Sequence, residues 1–139
     1  MTTYDPDNIF AKILCGEIPN HTVYEDDEVL VLMDVMPMSD GHCLVVPKAP
    51  SRNLLDADTA TLSKIMPVVQ KVARAAKSAF NADGVLIQQF NEEPAGQTVF
   101  HLHIHIVPVF EGRKLSRHSG EMADNDMLAE QARKIAAAM

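Results

Sequence analysis

The segment HLHIHIVP, residues 101 to 108, constrains the fold most strongly, because imidazole and aliphatic side chains alternate in it one by one. A period of two belongs to a β-strand, whose successive side chains point to opposite faces. His101, His103 and His105 are therefore predicted on one face, the open face of a sheet, about 6.6 to 7 Å apart. Leu102, Ile104 and Ile106 share the other face, which is the core face. A strand this apolar needs strand partners and a covering layer, so the chain must build a sheet packed by helices.

The rest of the pattern supplies those elements. Residues 6 to 15, PDNIFAKILC, predict a short helix with Asp5 or Asp7 near its start and Gly16 as its stop. HTVYE and EVLVLMD predict a hairpin around the acidic turn DDE, and CLVVPK predicts a buried strand closed by Pro47. From Asp58 to Phe80 the residues Leu62, Ile65, Met66, Val69, Val72, Ala73, Ala76 and Phe80 recur at three and four, which is a long amphipathic helix. Pro67 within it removes a backbone donor and predicts a kink, or a break near Met66. VLIQQF is the next strand, NEEPAGQT a polar loop, VFHLHIHIVPVF the last strand, and ADNDMLAEQARKIAAAM a helix capped by Asp124 or Asn125. Helix, three strands, helix, two strands and helix make an α+β chain with an antiparallel sheet. At 139 residues it fits one domain, 1–139, with a core at about residues 8 to 108 and a C-terminal loop and helix over 109–139.

Composition narrows the partners. A formal net charge of −7 argues against broad capture of nucleic acid, which needs clustered Lys and Arg to displace phosphate counterions. A small anionic ligand can still be held by backbone N–H groups and local donors. Cys15 and Cys43 are too few for a disulfide framework and read as free thiols. No secretory signal and no run of ~20 apolar residues is visible, so the expectation is a cytoplasmic chain without a membrane segment.

Three cationic imidazoles in a row repel one another unless some are neutral or an anion sits among them. Two chemistries fit such a row: a metal held by His-x-His plus a further ligand, or a phosphate attacked by one imidazole and hydrogen-bonded by its neighbours. Gly96, Gln97 and Thr98, just ahead of the row, favour the phosphate, since exposed backbone N–H, amide and hydroxyl groups suit phosphate oxygens better than a metal ion.

With these residues in place, GQTVFHLHIHIVP resembles the signature of the histidine triad family, and NIFAKILCGEIPNHTVYEDDEVLVLMDVMPMSDGHCLVVPK is similar to that family's amino-terminal half. The resemblance runs from about Asn8 to Pro108. It implies a five-stranded antiparallel sheet, extended to ten strands across a homodimer through the long helix and the strand after it. It also implies a hydrolase or transferase acting at the α-phosphate of a purine nucleoside monophosphate joined to an amine, an acyl group or another phosphate. By the match His103 is the nucleophile that forms a nucleotidyl-imidazole, with its Nδ1–H held by a backbone carbonyl or another acceptor. His105 sits nearest the phosphate oxygens and leaving group, His101 orients the row and pairs with His42, and Gln97 and Thr98 donate to the phosphate. Ile9, Phe10, Ile13 and Leu32, with Leu44 beneath, match the base pocket. Asp34 matches the carboxylate that receives the ribose hydroxyls, and Asn91 and Gly96 match the phosphate side.

Departures from the family pattern carry expectations of their own. The cysteines that hold a structural zinc in some members are replaced by Asn8 and Ala11, so no metal is expected, and no cofactor. The tail GRKLSRHSG lacks the Trp-containing ending of the animal phosphoramidase branch, and His118 within it reads as a solvated residue. The leading expectation is a phosphoramidase or acyl-nucleotide hydrolase. The alternatives are a dinucleoside polyphosphate hydrolase, a nucleotide-binding regulatory protein with vestigial catalysis, and metal capture by the histidine row.

Overall fold

The computed structural model describes residues 3–117 and 121–139, which leaves His118 outside the described residues. The elements follow in the predicted order: α1 (Ile9–Leu14), β1 (Thr22–Glu25), β2 (Val29–Met33), β3 (Cys43–Pro47), α2 (Thr59–Ala79), β4 (Gly84–Gln88), β5 (Ile104–Val109) and α3 (Asn125–Ala138). Two short 3-10 turns, Leu54–Asp56 and Glu93–Ala95, were not anticipated, since neither has an apolar period to announce it. The strands form one five-stranded antiparallel sheet in the order β1-β2-β3-β5-β4.

Residues directly opposite each other in a ladder share a face. Leu32 pairs with Leu44, and Leu44 with His105, so these lie on one side with Leu30 and Val46. Val31, Met33, Cys43, Val45, Ile104 and Ile106 lie on the other, buried against Ile65, Val69 and Val72 of α2 and Leu128, Ala132 and Ile135 of α3. The aliphatic residues of HLHIHIVP thus do hold the core face. The histidine face, expected to be open, is not: His101, His103 and His105 are all buried. Phe10 of α1 packs on Leu30, Leu32, Leu44 and Val46, and Phe10 and Tyr4 stand edge-on to the imidazoles.

Local chemistry explains where the helices begin and end. The N-cap of α1 is Asn8 rather than Asp5 or Asp7: its Oδ1 accepts the Ala11 N–H at 2.9 Å, while Asp5 Oδ1 is taken by the Asp7 N–H. Gly16, with φ +88°, follows the helix as expected. Asp124 caps α3 by accepting the Met127 N–H. α2 continues through Pro67 without a break; Pro67 and Ser63, whose carbonyl loses its usual donor there, are both on the exposed side of the helix. Met66, placed by period on the apolar stripe, is also on the solvent side, 51% exposed.

The turn before His42 is fixed by Gly41. Its φ is +85°, a Cβ there would meet ring carbons of Phe80 at 2.7 and 2.8 Å, and its N–H donates to Gln131 Oε1 of α3 at 3.0 Å. Gly41→Ala is expected to lower unfolding free energy by about 2–4 kcal/mol, from the left-handed backbone and the clash together. Chemical denaturation of the two proteins measures it; an unchanged midpoint would mean the turn relaxes freely. Among the described residues no helix is long and apolar enough to cross a membrane.

Candidate active site

Only His105 lies within β5; His101, Leu102 and His103 precede it. The chain has already left the ladder there, and the Leu102 N–H donates to the Ser51 carbonyl at 2.9 Å instead. The row is therefore held by individual hydrogen bonds, and those bonds determine where each proton sits. His103 Nδ1 is 2.7 Å from the carbonyl oxygen of His101. A carbonyl can only accept, so Nδ1 donates, and in the neutral ring Nε2 carries the lone pair.

His105 has the opposite tautomer. The backbone N–H of Met38 donates to His42 Nδ1 at 2.9 Å, which puts the proton of a neutral His42 on Nε2. That Nε2–H lies 3.0 Å from His105 Nδ1 and donates to it, so His105 carries its own proton on Nε2. The rings of His103 and His105 are 5.0 Å apart. Two neighbouring imidazoles thus present a lone pair on one Nε2 and a proton on the other. The expected pairing of His42 with His101 is replaced by this pairing with His105, because β3 sets Leu44, two residues from His42, directly opposite His105.

His101 is fixed at both ends of its ring. Nε2 donates to the Pro47 carbonyl at 2.8 Å, and Nδ1 lies 2.6 Å from the Tyr4 hydroxyl. Burial holds its pKa below the ordinary histidine value, partly offset by the bond to Pro47. Cys43, next to His42, is pushed up to about 12, by burial first and then by the Asp34 carboxylate, so it is no thiolate.

Asp34, expected to receive ribose hydroxyls, follows β2 and is buried. Its Oδ1 accepts the Met36 N–H at 2.8 Å, and Oδ2 faces the imidazole pair, 3.4 Å from His42 Nε2 and 3.8 Å from His105 Nδ1. Asp34, His42 and His105 could by type hold a metal ion, their donor atoms lying within 4.8 Å of one another. A ligating histidine, however, donates its second N–H to an acceptor. His42 Nδ1 instead receives the Met38 N–H, which leaves the proton, and no lone pair for a metal, on Nε2. The group is a hydrogen-bonded relay behind His105.

The loop ahead of the row differs from expectation. The Gly96 and Gln97 N–H groups, expected to be exposed donors, bond the carbonyls of Glu93 and Glu92. Gln97 is buried and fully engaged: Nε2 donates to the Arg52 and Val99 carbonyls, and Oε1 accepts from Asn53 Nδ2 and the Glu92 N–H. A buried amide must fill its hydrogen bonds internally, so Gln97 positions the loop and is not a donor in this arrangement. Glu92 has φ +76°, a strained value held by a bidentate contact from Arg52 and by Asn53 Nδ2. Asn91 is tied to Gln89 and to the Leu54 N–H. Thr98 remains on the exposed side of the loop.

Of the expected base pocket, Phe10, Ile13, Leu32 and Leu44 come together in one cluster, while Ile9 is exposed. Phe10 packs edge-on to His103, with ring centres 4.7 Å apart. Sequence reasoning missed Tyr4, Arg52, Asn53, Glu92 and Phe90, whose ring stands edge-on to His105 with centres 5.6 Å apart. Only the polar run SRN after a buried strand hinted at the network around Gln97; nothing marked Tyr4.

Comparison with known proteins agrees with this geometry. The HIT domain model matches residues 15–112. A Hit-like protein involved in cell-cycle regulation from Bartonella henselae has a solved structure 52% identical to this chain, with TM-score 0.93, covering 99% of this chain and 100% of that one. A hypothetical histidine triad nucleotide-binding protein from Sulfolobus tokodaii is 32% identical, with TM-score 0.84, over 93% of this chain and 89% of that one. Among curated proteins, adenylylsulfatase HINT3 of Arabidopsis thaliana is 33% identical over 124 residues, 85% of this chain and 63% of its own length. Family match, shared fold and buried histidine row together show that the chain belongs to the HIT domain family.

Proposed function

We propose that the chain is a nucleotide-binding hydrolase that cleaves a bond at the α-phosphate of a purine nucleoside monophosphate derivative, a phosphoramidate or an acyl-nucleotide, through a nucleotidyl-imidazole on His103. The observation that carries this reading is the bond from His103 Nδ1 to the His101 carbonyl, which assigns the lone pair to Nε2. The Nε2–P bond forms as the bond from phosphorus to the leaving group breaks, and the leaving group departs with the bonding pair. The leaving group takes a proton from His105. Water then attacks phosphorus, the Nε2–P bond breaks with its pair returning to Nε2, the spare water proton restores His105, and the nucleoside monophosphate is released. His105 Nε2–H donates to the phosphoryl oxygen or departing atom as charge builds there. Thr98 adds a hydroxyl from the loop, with Gly96 and Asn91 shaping it, and Phe10, Ile13, Leu32 and Leu44 form the base side, with Asp34 toward the ribose. An adenylylsulfatase and a nucleotide-binding protein among the relatives support a nucleotide substrate.

The test is release of AMP from an adenosine phosphoramidate, run beside diadenosine triphosphate to rank the leaving groups. Equal, slow release by the wild type and His103→Ala would remove the nucleophile assignment. Intact AMP binding with no turnover of any substrate would instead point to a regulatory protein.

We also propose a homodimer through α2 and β4. β4 is an edge strand, Ile87 on it is 44% exposed, and Met66 of α2 also faces solvent. Light scattering is expected to give twice the chain mass, and Ile87→Lys to shift the population to monomer by about tenfold or more in dissociation constant. A monomeric wild type at micromolar concentration would end this proposal.

A further inference from the structure

The segment His101 to His103 lies ahead of β5, so no sheet ladder fixes the carbonyl that holds His103. What fixes it is a small set of bonds. The Leu102 N–H reaches the Ser51 carbonyl, His101 Nε2 reaches the Pro47 carbonyl, and His101 Nδ1 meets the Tyr4 hydroxyl from a position 97 residues away in sequence. Tyr4 precedes α1, the helix that brings Phe10 against His103. We propose that Tyr4 is a positioning residue for the transfer step, which through His101 holds His103 with its Nε2 lone pair toward phosphorus. The proposal rests on the nucleotidyl-histidine reading above.

The chemistry of the two nitrogens makes the link specific. Because the Pro47 carbonyl demands a proton on His101 Nε2, Nδ1 must be an acceptor, and the Tyr4 hydroxyl is the donor it meets. The ring is buried, so loss of that donor leaves a desolvated nitrogen without its partner. The imidazole, then held at Nε2 alone, tilts toward another donor, and the strain falls on the short backbone segment beside it, which is restrained at the Leu102 N–H and includes the His101 carbonyl. That carbonyl is the acceptor of the His103 Nδ1–H. A hydroxyl at position 4 therefore acts on the reacting nitrogen through two hydrogen bonds and one residue, without touching substrate.

Tyr4→Phe keeps the ring and its edge-on contact with His101 and removes only the hydroxyl. With an adenosine phosphoramidate, kcat is expected to fall about tenfold while KM stays within about twofold, the signature of a misplaced reacting group rather than a lost binding contact. Imidazole 15N spectra supply a readout independent of turnover. In wild type, His101 is expected wholly as the Nε2–H tautomer and His103 as the Nδ1–H tautomer; in Tyr4→Phe both tautomers stay, because the Pro47 and His101 carbonyls still accept, while the Nδ1 resonances of His101 and His103 both shift. An unchanged kcat with an unchanged His103 Nδ1 resonance overturns the proposal, as does a wild-type His101 that carries its proton on Nδ1. If the wild type turns over no nucleotide, the hydrolase reading fails, and the spectra still decide whether the Tyr4 hydroxyl acts on His103 through His101. A variant that does not fold leaves the wild-type spectrum as the deciding measurement.

Discussion

His103→Ala is expected to lower turnover of an adenosine phosphoramidate by about 10³-fold or more while AMP binding changes by only a few-fold. The magnitude follows from what the side chain supplies. In the proposed mechanism the Nε2 lone pair is the attacking group, and its presence there follows from a backbone carbonyl 2.7 Å from Nδ1. Nothing adjacent can replace it: His105 carries a proton on its own Nε2, and Cys43 is buried with its thiol pushed up to about 12. Binding is expected to survive because the apolar cluster of Phe10, Leu32 and Leu44, the proposed base side, stands without the imidazole. Isothermal titration with AMP and steady-state kinetics separate the two effects, and a parallel loss of both would assign His103 to binding.

The second large effect is expected at His42. This side chain is fully buried, accepts the Met38 N–H, donates to His105 Nδ1 and lies 3.4 Å from the Asp34 carboxylate. His42→Ala leaves the Met38 N–H, His105 Nδ1 and the buried Asp34 each short of a partner, beyond opening a cavity. Unfolding free energy is expected to fall by about 3 kcal/mol, or roughly 10 °C in Tm for a chain of this length. Turnover is expected to fall about 10²-fold, because His105 is no longer held as the Nε2–H tautomer and loses its donor function. His42→Gln should recover part of the stability and little of the rate. A variant as stable and active as wild type would mean that His105 is set by other contacts.

How much of this was legible in the sequence depends on the range of the interaction concerned. The strands and helices were legible because each has its own local signal: short apolar runs closed by turn residues in VLVLM and CLVVP, three-and-four spacing in α2. The histidine row was legible as chemistry but not as geometry. Alternation placed three imidazoles on one exposed strand face, whereas the strand begins at Ile104 and the rings are buried under Phe10 and Tyr4. Partner choice was not legible either. His42 meets His105 rather than His101 because of the register between β3 and β5, which no local pattern specifies. Gln97 looked like a ligand donor because its internal partners, Arg52 and Asn53, lie more than forty residues away. Short-range signals decided the elements, and long-range register decided which polar groups are already satisfied.

The most direct test is to trap the intermediate. Wild-type protein mixed with an adenosine phosphoramidate and quenched within the first turnovers should carry added mass equal to AMP less one water. Peptide mapping without acid should place that mass on His103, and His103→Ala should carry none. An adduct on another residue, or rapid turnover with no adduct in either protein, would contradict covalent transfer through His103.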